Sequence, residues 1–311
     1  MKDTVLSLDF GGTKLAAGLV RLGSGDVVAA ARCPTPGDAS AGYAAMLGMA
    51  RELLTQSAEP VCAVGVSFGG PVEADGRTVR RSMHVPGWEA MPLANRLEAD
   101  LALPATIAND ADAAALAEQR YGAGRAIAHL LYLTVSTGIG GGIVIDGKIH
   151  RGARAWAGEI GHQVLDPDGP PCDCGRNGCL EALASGRAVA RAAQAILAHA
   201  GTVDSLLRRH ATITARDVTA AATAGDPAAQ AVWGAAMTWL GIGIANAANI
   251  LNPTRVIIGG GLTNAGPLLF EPVRQTVARR ALDPDLEIVP AALGEHVGLP
   301  AGAAVTPAEM V

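Results

Sequence analysis

Twice in this chain an apolar strand runs into a glycine turn and returns as a second strand. Val5–Asp9 passes through Gly11-Gly12 into Lys14–Val20, and His129–Val135 passes through Ser136-Thr137-Gly138-Ile139-Gly140-Gly141-Gly142 into Ile143–Ile145. The two openings lie about 125 residues apart, and mixed helices and strands follow each, which marks an internal duplication. The expected fold is α/β, with two related lobes facing a cleft. The expected division is an N-terminal lobe over 1–108, with 295–311 a candidate to rejoin it, and a C-terminal lobe over 109–294.

Between the openings the pattern predicts a helix over about Gly42–Gln56, with Tyr43, Met46, Leu47, Ala50, Leu53 and Leu54 on one face. Val61–Ser67 reads as a buried strand ending in the loop signal Gly69-Gly70-Pro71, and Asp75-Gly76 as a hairpin turn. A helix over Pro92–Leu101 and a strand over Ala105–Ala108 follow, the strand delivering Asn109-Asp110 at its end. The later part is mainly helical, with strands at Arg255–Ile258 and near Leu286–Val289.

With 50% hydrophobic but only 3% aromatic residues, the core must be filled by Ala, Val, Leu and Ile. The formal net charge is −5 and the basic residues are scattered, which argues against a nucleic-acid partner. The start Met1-Lys2-Asp3-Thr4 is a poor signal peptide. The apolar segment Trp239–Leu251 is broken by Asn246 and Asn249 and fits a buried helix rather than a membrane span. A cytoplasmic location is expected, and the cysteines agree: three of the five fall within eight residues, a spacing that suggests metal in a reducing compartment. Cys62, within an apolar strand, reads as core.

In the first turn, Asp9-Phe10-Gly11-Gly12-Thr13-Lys14, glycines let backbone N–H groups approach a phosphate. Thr13 adds a hydroxyl and Lys14 a cation, while Asp9 could orient Mg²⁺ through water; a plain hairpin turn is the competing reading. Thr137-Gly138 and the glycines after them repeat the chemistry. A third cluster, Gly259-Gly260-Gly261, could admit a base and ribose, or could equally be a strand-to-helix cap. Asn109-Asp110 also has two readings: a helix N-cap, or a general base, Asp110, accepting a hydroxyl proton during phosphoryl transfer. Asp112 reads as surface.

His162, Cys172, Cys174 and Cys179 offer one imidazole and three thiolates, a closed tetrahedral set suited to a structural Zn²⁺, with unligated or redox-active thiols the competing reading. Glu159 and Glu181, which flank that loop, read either as solvated surface carboxylates or as acceptors for sugar hydroxyls, and His162 can serve twice, one ring nitrogen on zinc and the other facing a sugar oxygen or a further acceptor.

The combination Asp9-x-Gly-Gly-Thr-Lys, Asn109-Asp110-Ala111, Thr137-Gly-Ile-Gly-Gly-Gly, Glu159-Ile-Gly-His162 and Cys172-x-Cys174-x4-Cys179-x-Glu181 resembles the ROK family of bacterial sugar kinases and repressors. The resemblance runs from about residue 4 to residue 304. It implies an actin-like (ribonuclease H-like) two-lobed fold closing on ATP-Mg and a hexose, commonly as a homodimer, with a tetramer as the alternative. By that resemblance Asp110 is the catalytic base, and Gly70, Asn109, Glu159, His162 and Glu181 attend the sugar. Gly11, Gly12, Thr13, Thr137, Gly138 and Gly260 serve the nucleotide. Two departures stand out. His84-Val85-Pro86-Gly87-Trp88 replaces an Asn-Leu-Pro-like run, which puts a sugar contact at position 84 in doubt, and Pro307 should cut short the last helix.

Repressors of the family carry a helix-turn-helix ahead of the first glycine turn, and with that turn beginning at Gly11 a DNA-binding role is not expected. Family fructokinases tend to replace a zinc-loop cysteine with histidine, whereas this loop resembles those of glucokinases and N-acetylhexosamine kinases. The expected activity is therefore phosphorylation of glucose at its 6-hydroxyl. The alternatives are N-acetylmannosamine or N-acetylglucosamine as substrate, and a catalytically inactive sugar sensor.

Overall fold

Strand β1 (Thr4–Phe10) holds Val5, Leu6 and Leu8 out of water entirely, as a central strand covered on both faces must. The computed structural model describes residues 3–82, 85–199 and 204–307. In chain order β1 is followed by β2 (Lys14–Arg21), β3 (Val27–Pro34), α1 (Ala39–Gln56), β4 (Val61–Phe68), α2 (Leu93–Leu101), β5 (Ala105–Asn109) and α3 (Asp110–Tyr121). Then come β6 (Leu130–Val135), β7 (Ile139–Ile145), β8 (Lys148–Ile149), α4 (Leu180–Ala184), α5 (Gly186–His199), α6 (Ala215–Thr223) and α7 (Pro227–Leu251). The remaining elements are β9 (Arg255–Gly259), α8 (Pro267–Arg280), β10 (Glu287–Pro290) and α9 (Gly298–Ala304).

The strands form two five-stranded sheets, ordered β3-β2-β1-β4-β5 and β10-β9-β6-β7-β8. Reading the second from its other end gives the same topology as the first: two antiparallel steps from an outer strand, then two parallel crossovers. β1 pairs β2 antiparallel and β4 parallel, and β4 pairs β5 parallel. β7 pairs β8 antiparallel, while β6 pairs β9 and β9 pairs β10 in parallel. The duplicated openings thus mature into duplicated sheets.

The chain divides into two units: Met1–Ala128 with Gly142–Gly158 and Ala291–Val311, and His129–Gly141 with Glu159–Pro290. The first unit extends through α3, past the boundary at 108 expected from the sequence. The reason is packing: Ala113, Leu116 and Ala117 of α3 bury against Ala301, Ala304 and Val305 at the C-terminal end of the chain. One face of the first sheet is covered by α1 and α2, through Tyr43, Met46, Leu53, Leu93 and Leu97. Leu299 and Ala303 of α9 cover Val5, Ala16, Val20 and Ala63 on the other. α9 ends at Ala304, ahead of Pro307, and residues 308–311 lie outside the described residues.

In the second unit α7 is 25 residues long, starting well before the apolar segment read from the sequence. Asp226 caps it by accepting the Ala229 N–H at 3.0 Å, Pro227 occupies the first turn, and Asn252 ends it in the left-handed region at φ 45°. By length and composition α7 could cross a membrane, yet 56% of its most apolar window is buried among the surrounding helices, as in a core helix. It packs on α4, α5, α6 and α8.

Candidate active site and metal centre

β1, the central strand of the first sheet, and its parallel neighbour β4 end side by side at Phe10 and Phe68, and β5 ends beside β4 at Asn109. The carboxyl ends of these parallel strands therefore deliver Asp9, the Gly11-Gly12 turn, Gly69-Gly70 and Asn109-Asp110 to one edge of the sheet. Beneath that edge Phe10, Phe68 and Trp88 meet at ring-centroid distances of 5.1 to 5.9 Å, a rigid aromatic plate in a chain with few aromatics.

Asn109 is the N-cap of α3, and its Oδ1 accepts the Ala111 N–H at 2.9 Å. Its Nδ2 donates to the carbonyl of Gly70 at 3.1 Å, pinning the loop after β4. The capping reading is correct for Asn109, and it leaves Asp110 as the first residue of the helix. Asp110 Oδ1 also accepts the Ala111 N–H at 2.9 Å. Asp110 keeps exposed surface, yet desolvation by the protein around it, reinforced by the negative charge of Asp9, raises its pKa to about 6. Burial likewise pushes Asp9 upward, against a hydrogen bond from Ser67 and the charge of Lys14. Gly12, Thr13 and Lys14 are exposed at the turn, and Thr35 donates to the carbonyl of Gly11 at 2.7 Å. His84 lies outside the described residues.

Asp112 is not on the surface as expected. It is buried, with Arg151 3.8 Å away. Glu118, which the sequence reading passed over, is fully buried on the same helix. It accepts the backbone N–H groups of Ala123 at 2.8 Å, Ala292 at 3.1 Å and Leu293 at 2.9 Å.

In the second unit His162 closes a 3₁₀ turn that Glu159 precedes. The cysteine loop returns beside it as a narrow hairpin, with Val164 bridged to Cys179 and Pro171 to Asn177. Gly178 is obligatory here: its φ is +63°, and any Cβ would collide with the carbonyl of Asp166. The hairpin brings Cys172 Sγ to 3.7 Å from His162 Nδ1, and Cys174 Sγ to 3.6 Å from Cys179 Sγ. The four ligand atoms lie within 4.8 Å of one another. A tetrahedral Zn²⁺ with Zn–S bonds of about 2.3 Å would set its sulfurs about 3.8 Å apart, so the donor set fits the ion in number, kind and spacing. Burial pushes the Cys179 thiol up to about 12 and also raises Cys172, while the backbone N–H of Arg176 lowers Cys174 to about 7. Three crowded thiols of this kind are held best as thiolates by a cation.

On the far side of the ring, His162 Nε2 lies 3.8 Å from Glu159 Oε2. Glu181, at the second position of α4, turns toward the second glycine turn, and its Oε2 accepts the Ile139 N–H at 2.8 Å. Thr137 is exposed and Gly138 half-buried in that turn. Gly260 follows β9 at φ 89° and leads into a 3₁₀ turn over Gly261–Ala265, so the strand-to-helix cap is present at the third glycine cluster.

Two sheets of this matching order define the α/β fold of the actin-like sugar kinases. The sequence matches the model of the ROK family over residues 5–308. It is 40% identical over 224 residues to a glucokinase of Halalkalibacterium halodurans, covering 70% of this chain and 68% of that protein. It is 33% identical over 310 residues to a glucokinase of Streptomyces coelicolor, covering 94% of each. A ROK family glucokinase from Streptomyces griseus, crystallised with glucose and AMPPNP, superposes with a TM-score of 0.80 at 32% identity, covering 97% of this chain and 99% of that one. The chain belongs to the ROK family.

Proposed function

We propose that the chain is an ATP-dependent glucose kinase that transfers the γ-phosphate to the sugar 6-hydroxyl. The observation that carries this reading is the placement of Asp110 at the junction of β5 and α3, on the same sheet edge as the Gly11-Gly12 and Gly69-Gly70 turns, with its pKa raised to about 6. A base of that strength is ionised at neutral pH and still basic enough to take a hydroxyl proton as the oxygen attacks phosphorus. Asn109 and Gly70, tied to each other at 3.1 Å, would hold the sugar. Glu159, His162 and Glu181 would serve its remaining hydroxyls.

For the nucleotide, the backbone N–H groups of Gly11, Gly12 and Thr13, with Lys14, would cradle the phosphates, and Thr137 and Gly138 would do so from the second turn. Gly260 would leave room for the nucleoside. Magnesium bound with ATP would neutralise charge on the transferring phosphoryl group, and Asp9 would orient its water shell. Zn²⁺ at His162, Cys172, Cys174 and Cys179 would be structural, since four protein ligands leave no position for substrate. A cytoplasmic location suits thiolate ligands that must stay reduced. A homodimer is the assembly proposed.

A coupled assay of ADP release across glucose, mannose, fructose, N-acetylglucosamine and N-acetylmannosamine tests the reading. Glucose should give the highest kcat/KM. Preference for an N-acetylhexosamine would overturn the assignment of glucose, and turnover with none of them would overturn the kinase.

A further inference from the structure

Glu181 is held on both sides. Its Oε2 is taken by the Ile139 N–H at 2.8 Å, and its Oε1 lies 3.8 Å from the guanidinium of Arg187. That guanidinium also pairs with Asp173 at 2.7 Å, and Asp173 sits in the cysteine loop between Cys172 and Cys174. The start of α5 meanwhile grips the second glycine turn through its backbone. The Gly186 N–H donates to the Ser136 carbonyl at 2.7 Å, and the Arg187 N–H to the Thr137 carbonyl at 3.4 Å. Three parts of the second unit therefore converge on Arg187: the metal loop, the carboxylate of Glu181 and the turn at 136–139.

We propose that Arg187 is a positioning residue, fixing the Glu181 carboxylate between the metal loop and the glycine turn so that it meets the sugar already oriented. The inference rests on the sugar-kinase reading above. An exposed ion pair at 3.8 Å contributes little by itself. Here, however, the guanidinium is shared with a second carboxylate, Asp173, in an exposed pair at 2.7 Å, and the bond to Ile139 holds the other oxygen of Glu181. The remaining freedom of Glu181 is a rotation about its last bond, and Arg187 opposes it. A sugar hydroxyl donating to Oε1 then meets an acceptor that has no ordering left to do. Because the other oxygen is shared with Ile139, the same side chain links the sugar partner to the phosphate turn.

The test compares wild type with Arg187→Ala, Arg187→Lys and Asp173→Asn in the zinc-loaded full chain. In Arg187→Ala, glucose Kd by calorimetry without ATP should rise by about fivefold, the rise in glucose KM should exceed any fall in kcat, and zinc content and Tm should hold. Lysine, which keeps the charge but not the fork that reaches two carboxylates, should restore part of the loss. Asp173→Asn should shift Kd in the same direction by less. An unchanged glucose Kd in Arg187→Ala, or a rise accompanied by zinc loss and a lower Tm, would overturn the assignment. These outcomes are separable from failure of the kinase reading, which shows in the wild type as an absence of turnover with every hexose.

Discussion

His162 turns Nδ1 toward the Cys172 thiol at 3.7 Å, and its other ring nitrogen is thereby committed to the side of Glu159. The imidazole thus links the metal set to a proposed sugar contact, and a metal-loop defect should reach beyond stability. Cys172→Ser is expected to lower Tm and raise glucose Kd by about tenfold, while kcat at saturating glucose falls less. Scanning fluorimetry, elemental analysis and calorimetry on the same preparation check it. A lower Tm with unchanged glucose affinity would show that the loop only holds itself together.

Asp110→Asn keeps the shape of the side chain and its bond with the Ala111 N–H can be lost without moving the helix, since Asn109 still caps it. Sugar affinity should therefore persist while kcat falls by at least ~10²-fold. Near-normal turnover would remove Asp110 from the role of base.

The raised pKa of Asp110 has two opposite consequences. If Asp110 is the base, activity needs it ionised, so kcat/KM should decline as pH falls through about 6. Stability runs the other way. A carboxyl group whose pKa goes up on folding binds its proton more tightly in the native state, so its contribution is fully present below its ordinary value of 3.8 and is lost as pH rises through about 6. Solvent at its exposed surface screens the effect and keeps it small. Melting curves should show Asp110→Asn gaining Tm over wild type at about pH 8, and gaining less at about pH 5. A gain that does not grow with pH would contradict the assigned shift.

Glu118 has no exposed surface, and its two oxygens serve three backbone N–H groups, two of them where the chain re-enters the first unit after β10. Glu118→Ala would remove the acceptor that these three backbone N–H groups share, at a cost of about 1–3 kcal/mol. Glu118→Gln keeps one acceptor and should lose less. Urea titrations that show equal, small losses for both would refute this clamp.

The contrast between Glu118 and the His–Cys cluster explains what the sequence made legible. Cys172, Cys174 and Cys179 announce themselves because their partners are one another, within a single hairpin. Glu118 finds its partners at Ala292 and Leu293, residues far along the chain whose backbones do the binding and whose side chains give no signal. Asp112 was misread for a related reason: α3 is so rich in alanine that helical periodicity marks no polar face, and the neighbouring cation, Arg151, comes from the segment after β8. The duplicated strand–turn–strand openings were legible because each is local. The extent of the first unit was not, because it depends on α3 docking against α9 from the far end of the sequence.

Gly138 offers the sharpest check on the link between the two kinds of site in the second unit. A Cβ there would run into Oε2 of Glu181, the oxygen that accepts the Ile139 N–H. Gly138→Ala therefore has to push the carboxylate aside or deform the turn, and either movement breaks that hydrogen bond. If Glu181 serves the sugar and the turn serves the phosphates, the variant should raise KM for both glucose and ATP, each by about tenfold. Glu181→Gln, which leaves the turn its space and an amide oxygen for Ile139, should raise KM for glucose far more than for ATP. Initial-rate grids over both substrates separate the two patterns. An alanine variant whose defect is confined to ATP would mean that Glu181 braces the turn and takes no part in holding the sugar.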